Sequence, residues 1–192
     1  VASGSLLGEA IDRTGLNEDG LAWLADGRGF FYNRHPASER YNKSAIYLHR
    51  LGEPESRDVA VFGWEVSPSN KLQLADLPHP ATAKGSRWVM IEVLHGDAVD
   101  RSYWVAPADK VNGASTPWRR LISPTDRVTH AVLAGNAVYA VSQKRNSNRE
   151  LIRLDLAHGG RARTVVPAGR TALQFPVAAE DAVYLKALDA GV

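Results

Sequence analysis

Residues 20–33, Gly-Leu-Ala-Trp-Leu-Ala-Asp-Gly-Arg-Gly-Phe-Phe-Tyr-Asn, decide the fold because they have the pattern of a β-hairpin. Leu21–Leu24 is a short apolar strand, and Gly29–Tyr32 is an aromatic return strand of the kind that a pleated sheet favours. Between them, Asp26–Gly27 is a tight-turn sequence, since glycine adopts positive φ without steric cost. The rest of the chain repeats this unit with variations.

The hairpin is the first half of a cycle of four short strands. Ala45–Leu51 alternates apolar and polar residues as a half-buried strand does, and Asp58–Phe62 supplies the fourth strand. Similar cycles follow, with a length of roughly 45 to 55 residues, which is the size of a propeller blade. The sequence therefore predicts an all-β fold, an incomplete β-propeller of four-stranded antiparallel blades. We expect the blades at residues 20–62, 71–122, 127–166 and 172–192, the last one incomplete.

Aromatic residues favour a propeller over a β-sandwich with evenly spaced strands. They recur in the second strand of each cycle, at Tyr32, Trp88, Tyr139 and Tyr184, which a sandwich does not require. In the second cycle, Lys71–Leu77 is the expected first strand, and the prolines that follow it are expected in a connection. No segment has a sustained 3.6-residue period, so helix content should be low.

Composition indicates an ordinary soluble globular protein. The chain has 192 residues, 44% of them hydrophobic and 23% charged, and no apolar run approaches the roughly 20 residues of a membrane span. A net charge of +2 is too small to argue for nucleic acid, and the absence of cysteine excludes disulfides and thiol chemistry. Val1–Ala10 lacks the basic and apolar regions of a signal peptide. We expect a fragment of a cytoplasmic protein, with a periplasmic or secreted location left open. The apolar pair Leu6–Leu7 is expected in a preceding blade or a linker.

No motif predicts a catalytic, cofactor-binding or metal-binding residue. The nearest approach to a Gly-x-Ser-x-Gly nucleophile motif is Gly113–Pro117, where Pro117 replaces the second glycine, so Ser115 is expected in a surface turn. Acidic pairs at Glu53 with Glu55 and at Glu180 with Asp181 fall in turns. The six histidines lack metal-ligand spacing, and we expect no cofactor; they are His35, His49, His79, His95, His130 and His158.

Among these histidines, His49 lies in a predicted strand and is expected to be packed or hydrogen-bonded. His35 and His79 precede prolines and are expected in loops. Four of the five tryptophans, Trp23, Trp88, Trp104 and Trp118, fall in predicted strands, where packing between blades is their expected role. Trp64 lies outside a clear strand and is the candidate for a carbohydrate or peptide platform.

These strands resemble those of a known family, the prolyl oligopeptidases. The first part of the pattern is Ala22-Trp23, Asp26-Gly27, Gly29–Tyr32 and Tyr47–Gly52. Later segments fall in the order and blade positions that the family uses, at Arg101–Val105, Trp118–Ile122 and Asn148–Asp155. The resemblance covers roughly Gly20–Leu188 and rests on order and spacing, not on one motif. Arg13–Asp19 and Gly63–Lys84 depart from the family pattern and leave the subfamily open.

The resemblance implies a function for the whole protein. Family members combine a seven-bladed propeller with an α/β-hydrolase domain that holds a Ser-Asp-His triad. This chain would supply about three and a half blades and would lack the catalytic domain. It would be the substrate-gating segment of a serine peptidase that hydrolyses short, proline-containing peptides, and would itself be non-catalytic. The implied partners are the hydrolase domain of the same protein and the peptides that pass through the channel, with no nucleic acid and no membrane.

Three alternatives and one physical consequence accompany this interpretation. A related oligopeptidase that cleaves after basic residues is one alternative, and a free-standing propeller that serves as an interaction scaffold is another. A propeller glycosidase or lactonase is least favoured, since acidic and histidine residues do not cluster in the sequence. An incomplete propeller leaves apolar blade faces exposed, so we expect self-association or a requirement for the missing blades.

Overall fold

The computed structural model describes residues 10–14, 20–39, 41–67 and 70–189. Within these ranges the chain forms fourteen β-strands in four antiparallel sheets, and no α-helix. Three sheets have four strands in sequence order, and the fourth has two. The sheets do not close into a ring, and the predicted all-β, incomplete propeller is confirmed. The pair Leu6–Leu7 lies outside the described residues.

Sheet 1 contains the hairpin from which the fold is predicted. In it, Leu21 pairs with Tyr32 and Trp23 with Phe30. Gly27 has a φ of 69°, as the tight turn requires. The strands of sheet 1 are β1 (Leu21–Trp23), β2 (Gly29–Arg34), β3 (Ala45–Arg50) and β4 (Val59–Gly63).

Sheet 2 corrects one expectation from the sequence. Its first strand begins at Asp76, later than predicted, and contains Pro78 and Pro80, which were expected in a connection. It also contains His79, which was expected in a loop. This strand is at the edge of its sheet, where a proline without an N–H group costs no ladder hydrogen bond. The strands of sheet 2 are β5 (Asp76–Ala81), β6 (Trp88–His95), β7 (Ser102–Pro107) and β8 (Arg119–Ile122).

Sheets 3 and 4 complete the described strands. Sheet 3 contains β9 (Val128–Ala134), β10 (Ala137–Ser142), β11 (Glu150–Asp155) and β12 (Arg161–Val166). Sheet 4 contains β13 (Ala172–Ala178) and β14 (Val183–Leu188). Short 3₁₀ turns lie between strands at Glu55–Arg57, Ala108–Lys110, Gly113–Ser115 and Pro124–Asp126.

The hydrophobic core lies between neighbouring sheets, not within one sheet. Between sheets 1 and 2 it includes Phe31, Ile46, Phe62, Ile91, Val93 and Trp118. Between sheets 2 and 3 it includes Tyr103, Val105, Ile122, Val128 and Val138. A smaller cluster of Val141, Leu151 and Leu173 joins sheets 3 and 4. Such face-to-face stacking of neighbours is how repeated units bury a continuous core.

The aromatic residues do not share one environment. Trp118 lies just before β8 rather than in it, is buried, and donates its indole N–H to the Val61 carbonyl at 2.7 Å. Trp23, by contrast, is 51% exposed, so the expectation of core packing is wrong for this residue. Tyr32 is buried, whereas Tyr184 is exposed. The recurring aromatics therefore mark the second strands without filling one repeated core position.

Candidate functional site

The first strands of the four sheets form the candidate site. β1 contacts β5, and β9 contacts β13, whereas the outermost strand β12 is exposed along most of its length. The first strands are thus on the side where the sheets come together. We call the surface formed by β1, β5, β9 and β13 the inner wall.

Side-chain hydrogen bonds to backbone carbonyls join neighbouring sheets along this wall. The Thr82 hydroxyl donates to the Trp23 carbonyl at 2.7 Å, from sheet 2 to sheet 1. The Asn33 amide donates to the Pro78 carbonyl at 2.8 Å, and the Ser86 hydroxyl to the Gly135 carbonyl at 2.6 Å. These bonds give the three carbonyls a side-chain donor and link neighbouring sheets to one another.

Exposed apolar side chains lie on the inner wall. Leu21 and Trp23 on β1 and Phe175 on β13 are each about half exposed, at 47%, 51% and 45%. Trp23 packs edge-to-face on Phe30, with 5.3 Å between ring centroids. Aromatic faces of this kind can contact the apolar side chains of an extended peptide.

His130 lies beside Phe175 where sheets 3 and 4 meet. The two rings are in edge-to-face contact, with 4.2 Å between their centroids. Burial lowers the pKa of His130, the positive charge of Arg101 lowers it further, and the Arg149 charge adds to this effect, against an opposing effect of Glu92. His130 is therefore a neutral imidazole at pH 7, able to donate one hydrogen bond and accept another.

A Ser-His-Asp hydrogen-bond chain occurs in sheet 2. His95 Nδ1 lies 2.7 Å from Asp76 Oδ1, and His95 Nε2 lies 2.8 Å from Ser102 Oγ. This is the connectivity of a catalytic triad, and sequence reasoning missed it because the residues come together only through strand pairing. Asp76 faces His95 across β5 and β6, and Ser102 faces Val93 across β6 and β7.

The burial of the Ser-His-Asp hydrogen-bond network argues for a structural role of these three residues. Ser102 is 3% exposed and Asp76 6% exposed, so a substrate carbonyl cannot reach the hydroxyl. Ser102 begins a strand and does not occupy the strand–helix turn on which a nucleophilic serine is presented. The hydrogen bonds among Asp76, His95 and Ser102 join β5, β6 and β7 to one another.

A similar network stabilises sheet 1. His49 Nδ1 lies 2.8 Å from Asp58 Oδ1, and the Tyr32 hydroxyl donates to Asp58 Oδ2 at 2.7 Å. Burial, and then the hydrogen bond to Asp58, raise the pKa of Tyr32, so its phenol stays protonated. His49 is thus a hydrogen-bonded strand residue, as the sequence predicts. His35 directly follows β2 and is buried.

The remaining sequence candidates do not converge on one site. Ser115 lies in the 3₁₀ turn Gly113–Ser115, and its hydroxyl donates to the Asn112 carbonyl at 2.8 Å. Glu180 forms an ion pair with Lys84, whereas Asp181 accepts a hydrogen bond from the Tyr184 hydroxyl at 2.9 Å. Among the residues that the structure describes, no group of three or more histidine, aspartate or glutamate side chains is placed to hold a metal ion.

A cavity of about 840 Å³ lies at one end of the inner wall. It is lined by Tyr139 and by residues in or next to the turns between the first and second strands of sheets 2, 3 and 4, at 82–85, 132–135 and 178–183. The Lys84–Glu180 ion pair joins the first and last of these turns.

Within the described ranges, no helix is long and apolar enough to cross a membrane.

Comparison with known proteins identifies the family of the chain. Residues 1–185 match the family model described as "Prolyl oligopeptidase, N-terminal beta-propeller domain". Prolyl oligopeptidase A from Galerina marginata is 22% identical over 170 residues, which cover 77% of this chain and 21% of that protein. The dual function macrocyclase-peptidase POPB from Amanita bisporigera is 25% identical over 149 residues, which cover 72% of this chain and 19% of that protein. The chain thus spans about a fifth of the length of these relatives.

Solved structures show the same fold. One of two prolyl endopeptidases, studied for the role of inter-domain dynamics in catalysis and specificity, superposes with a TM-score of 0.79 at 24% identity, over 97% of this chain and 26% of the endopeptidase. Prolyl oligopeptidase B from Galerina marginata, bound to a 35mer hydrolysis and macrocyclization substrate, superposes with a TM-score of 0.68 at 18% identity, over 92% of this chain and 27% of that enzyme. With the family match over residues 1–185 and the stacked four-stranded sheets, the chain belongs to the prolyl oligopeptidase family and forms part of its N-terminal β-propeller domain.

Proposed function

We propose that this chain is a gating segment of a prolyl oligopeptidase-like serine peptidase. In this proposal the inner wall borders the path by which short, proline-containing peptides reach a catalytic site on another domain. The observation that carries the proposal is the wall itself, in which first strands joined by hydrogen bonds expose Leu21, Trp23 and Phe175. The Ser-His-Asp hydrogen-bond network in sheet 2 is buried, so the residues that catalyse peptide hydrolysis would come from an α/β-hydrolase domain of the same protein.

The gate would act by size and flexibility. A rigid wall admits an extended peptide, whose backbone needs little room, and excludes a folded domain. Aromatic side chains such as Trp23 and Phe175 offer faces on which proline rings can pack. Discrimination then depends on how firmly neighbouring sheets are held together, and therefore on the hydrogen bonds between them.

The open face of sheet 4 is part of the same proposal. Val177, Tyr184 and Leu188 are exposed on it, at 58%, 56% and 41%. We infer that this chain alone associates with a second copy, or requires further blades, to cover the face. Sedimentation velocity of the isolated chain tests this point, since a stable folded monomer at high concentration would contradict it.

The gating role can be tested in the full-length protein with two matched substitutions. Thr82→Val removes the hydrogen bond to the Trp23 carbonyl that joins sheets 1 and 2. Thr164→Val removes a hydrogen bond of similar length, 2.8 Å, to Glu150 within sheet 3. Cleavage rates are measured for a proline-containing octapeptide and for a long substrate with the same cleavage sequence.

We expect Thr82→Val to raise the ratio of long-substrate to octapeptide kcat/KM by about twofold to tenfold, the effect of losing one hydrogen bond. Thr164→Val should leave the ratio unchanged. An unchanged ratio in both variants, with octapeptide cleavage intact, would contradict gating at this wall. No cleavage of any proline-containing peptide by the full-length protein would contradict the peptidase assignment.

A further inference from the structure

A smaller cavity, of about 290 Å³, lies on the inner wall where sheets 1, 2 and 3 meet. The wall strands β1, β5 and β9 and the second strand of sheet 2, β6, all contribute to it. Its lining is apolar apart from one imidazole and one carboxylate, and it includes Leu21, His79, Pro80, Met90, Glu92 and Ala131. Leu21 is 47% exposed, so the cavity is open to solvent on the side of the wall.

Two donors fix the carboxylate of Glu92 in this cavity. Arg101 Nη1 and the Tyr103 hydroxyl both donate to Glu92 Oε1, at 2.7 Å and 2.6 Å. Burial, and then the charge of Glu92, raise the pKa of Tyr103, so its phenol stays protonated and remains a donor. The carboxylate is therefore held in one orientation before a ligand arrives, which reduces the entropy lost on binding.

The other oxygen of this carboxylate is available to a ligand. Within the described part of the chain, both donors to the Glu92 carboxylate bond to Oε1 and none bonds to Oε2. Oε2 is not among the buried side-chain atoms that lack a partner, so water reaches it. The Glu92 side chain is 21% exposed. Since a carboxylate offers about four acceptor positions, a donor in the cavity could bond to Oε2 without displacing Arg101 or Tyr103.

The surrounding charges favour a neutral donor over a cation. Arg101 already forms an ion pair with Glu92 at 2.7 Å. The positive charges of Arg101 and Arg149 both act on His130, which directly precedes Ala131 of the cavity. A lysine or arginine side chain would therefore gain little from Glu92 and would be near two like charges. A backbone N–H has no net charge, and it needs an acceptor when it is withdrawn from water against an apolar wall.

We propose that this cavity binds one apolar residue of an extended peptide, with the backbone N–H of that residue donating to Glu92 Oε2. The side chain of the residue would pack on Leu21 and Pro80. The volume is close to the roughly 300 Å³ lower limit of ligand pockets, which suits one residue rather than a whole peptide. Proline is disfavoured at this position because it has no N–H. The inference rests on the proposed function, because it takes the ligand to be a peptide on the inner wall.

The test is calorimetric binding of pentapeptides to the full-length protein. The reference peptide is acetylated and amidated Ala-Ala-Leu-Ala-Ala, which lacks proline and so stays uncleaved under the proposed specificity. Methylation of the leucine nitrogen removes the donor, and should weaken binding by about tenfold or more, the effect of losing a hydrogen bond to a charged acceptor. Methylation of the last alanine nitrogen is the matched control and should change affinity by less than about twofold. A lysine in place of leucine should weaken binding.

Substitutions locate the binding in this cavity. Glu92→Gln keeps one oxygen for the donors on sheet 2 and presents an amide N–H₂ group in place of Oε2, so the two leucine peptides should then bind equally. Leu21→Ala leaves the carboxylate untouched and should weaken binding of the reference peptide by about threefold to tenfold, since it removes apolar contact. Leu51→Ala is its control, because Leu51 is 45% exposed in the turn after β3 and does not line the cavity.

Four results would overturn the proposal. They are equal binding of the reference peptide and its leucine N-methyl form, tighter binding of the lysine peptide, undiminished binding by Leu21→Ala, and no binding of any of the peptides. The long-to-short cleavage ratio of Thr82→Val separates this inference from gating. An unchanged ratio with the expected peptide binding contradicts gating alone, whereas a raised ratio without that binding contradicts this inference alone.

Discussion

Replacement of Trp118 tests whether packing between sheets 1 and 2 holds the propeller together. In Trp118→Phe the indole N–H is lost, and the Val61 carbonyl loses a donor at 2.7 Å. Val61 is 0% exposed, so water cannot replace that donor. An unsatisfied buried acceptor costs about 1–3 kcal/mol, and the smaller ring, which also contacts Phe62, loses about 1 kcal/mol of apolar burial.

The free energy of unfolding of the variant should therefore be lower by about 2–4 kcal/mol. For a domain of this size, this change lowers the melting temperature by roughly 5–15 °C. Differential scanning calorimetry or circular dichroism measures the shift. The matched control is Trp23→Phe, since the Trp23 side chain is 51% exposed. It should change stability by less than about 0.5 kcal/mol. Equal melting temperatures for Trp118→Phe and the unsubstituted chain would refute the reasoning.

Three further substitutions test other features. Gly63 has a φ of 138°, and a Cβ at this position would lie 2.4 Å from Ala45 Cα. Gly63→Ala should therefore lower the free energy of unfolding in urea by about 3 kcal/mol or more. The control Gly135→Ala should lower it by about 1 kcal/mol, because nothing lies within 4 Å of a Cβ there. Burial and the charge of Arg101 lower the pKa of His130 in the folded state, so the unfolded chain binds this proton more tightly. The free energy of unfolding should therefore fall as the pH drops below about 6.5. Thermal melts between about pH 7.5 and 5 should show a weaker pH dependence for His130→Gln. Ser102→Ala should lower the free energy of unfolding by about 1 kcal/mol, because it removes the hydrogen bond to His95. A fluorophosphonate probe should leave Ser102 of the unsubstituted chain unlabelled, because the hydroxyl is buried. Labelling of Ser102, detected by peptide mass spectrometry, would contradict its structural role.

Local sequence predicts the strands well, because alternation and turn residues act over a few positions. The hairpin around Gly27 and the strand around His49 show this. The first strand of sheet 2 could not be predicted in the same way. Its prolines argue against a strand until the position of that strand at the sheet edge is known, and an edge position is a property of the whole fold.

The candidate site was less predictable than the fold. Asp76, His95 and Ser102 are separated in sequence and lack a recognised motif, and only strand register brings them together. A cavity of about 270 Å³ beside Trp64 likewise depends on residues from four separate segments, at 13, 34–36, 43–47 and 64–66. The sequence does contain one tryptophan outside the predicted strands, Trp64, and this residue lines the cavity.

The prolines of β5 have a consequence for any polypeptide that moves along the inner wall. The open edge of a strand ordinarily presents N–H and C=O groups to which another strand can add. Pro78 and Pro80 have no N–H, and the Pro78 carbonyl is already bonded to Asn33. A polypeptide passing this edge would find few free backbone groups with which to form hydrogen bonds, so it would be released rather than added to the sheet as an extra strand.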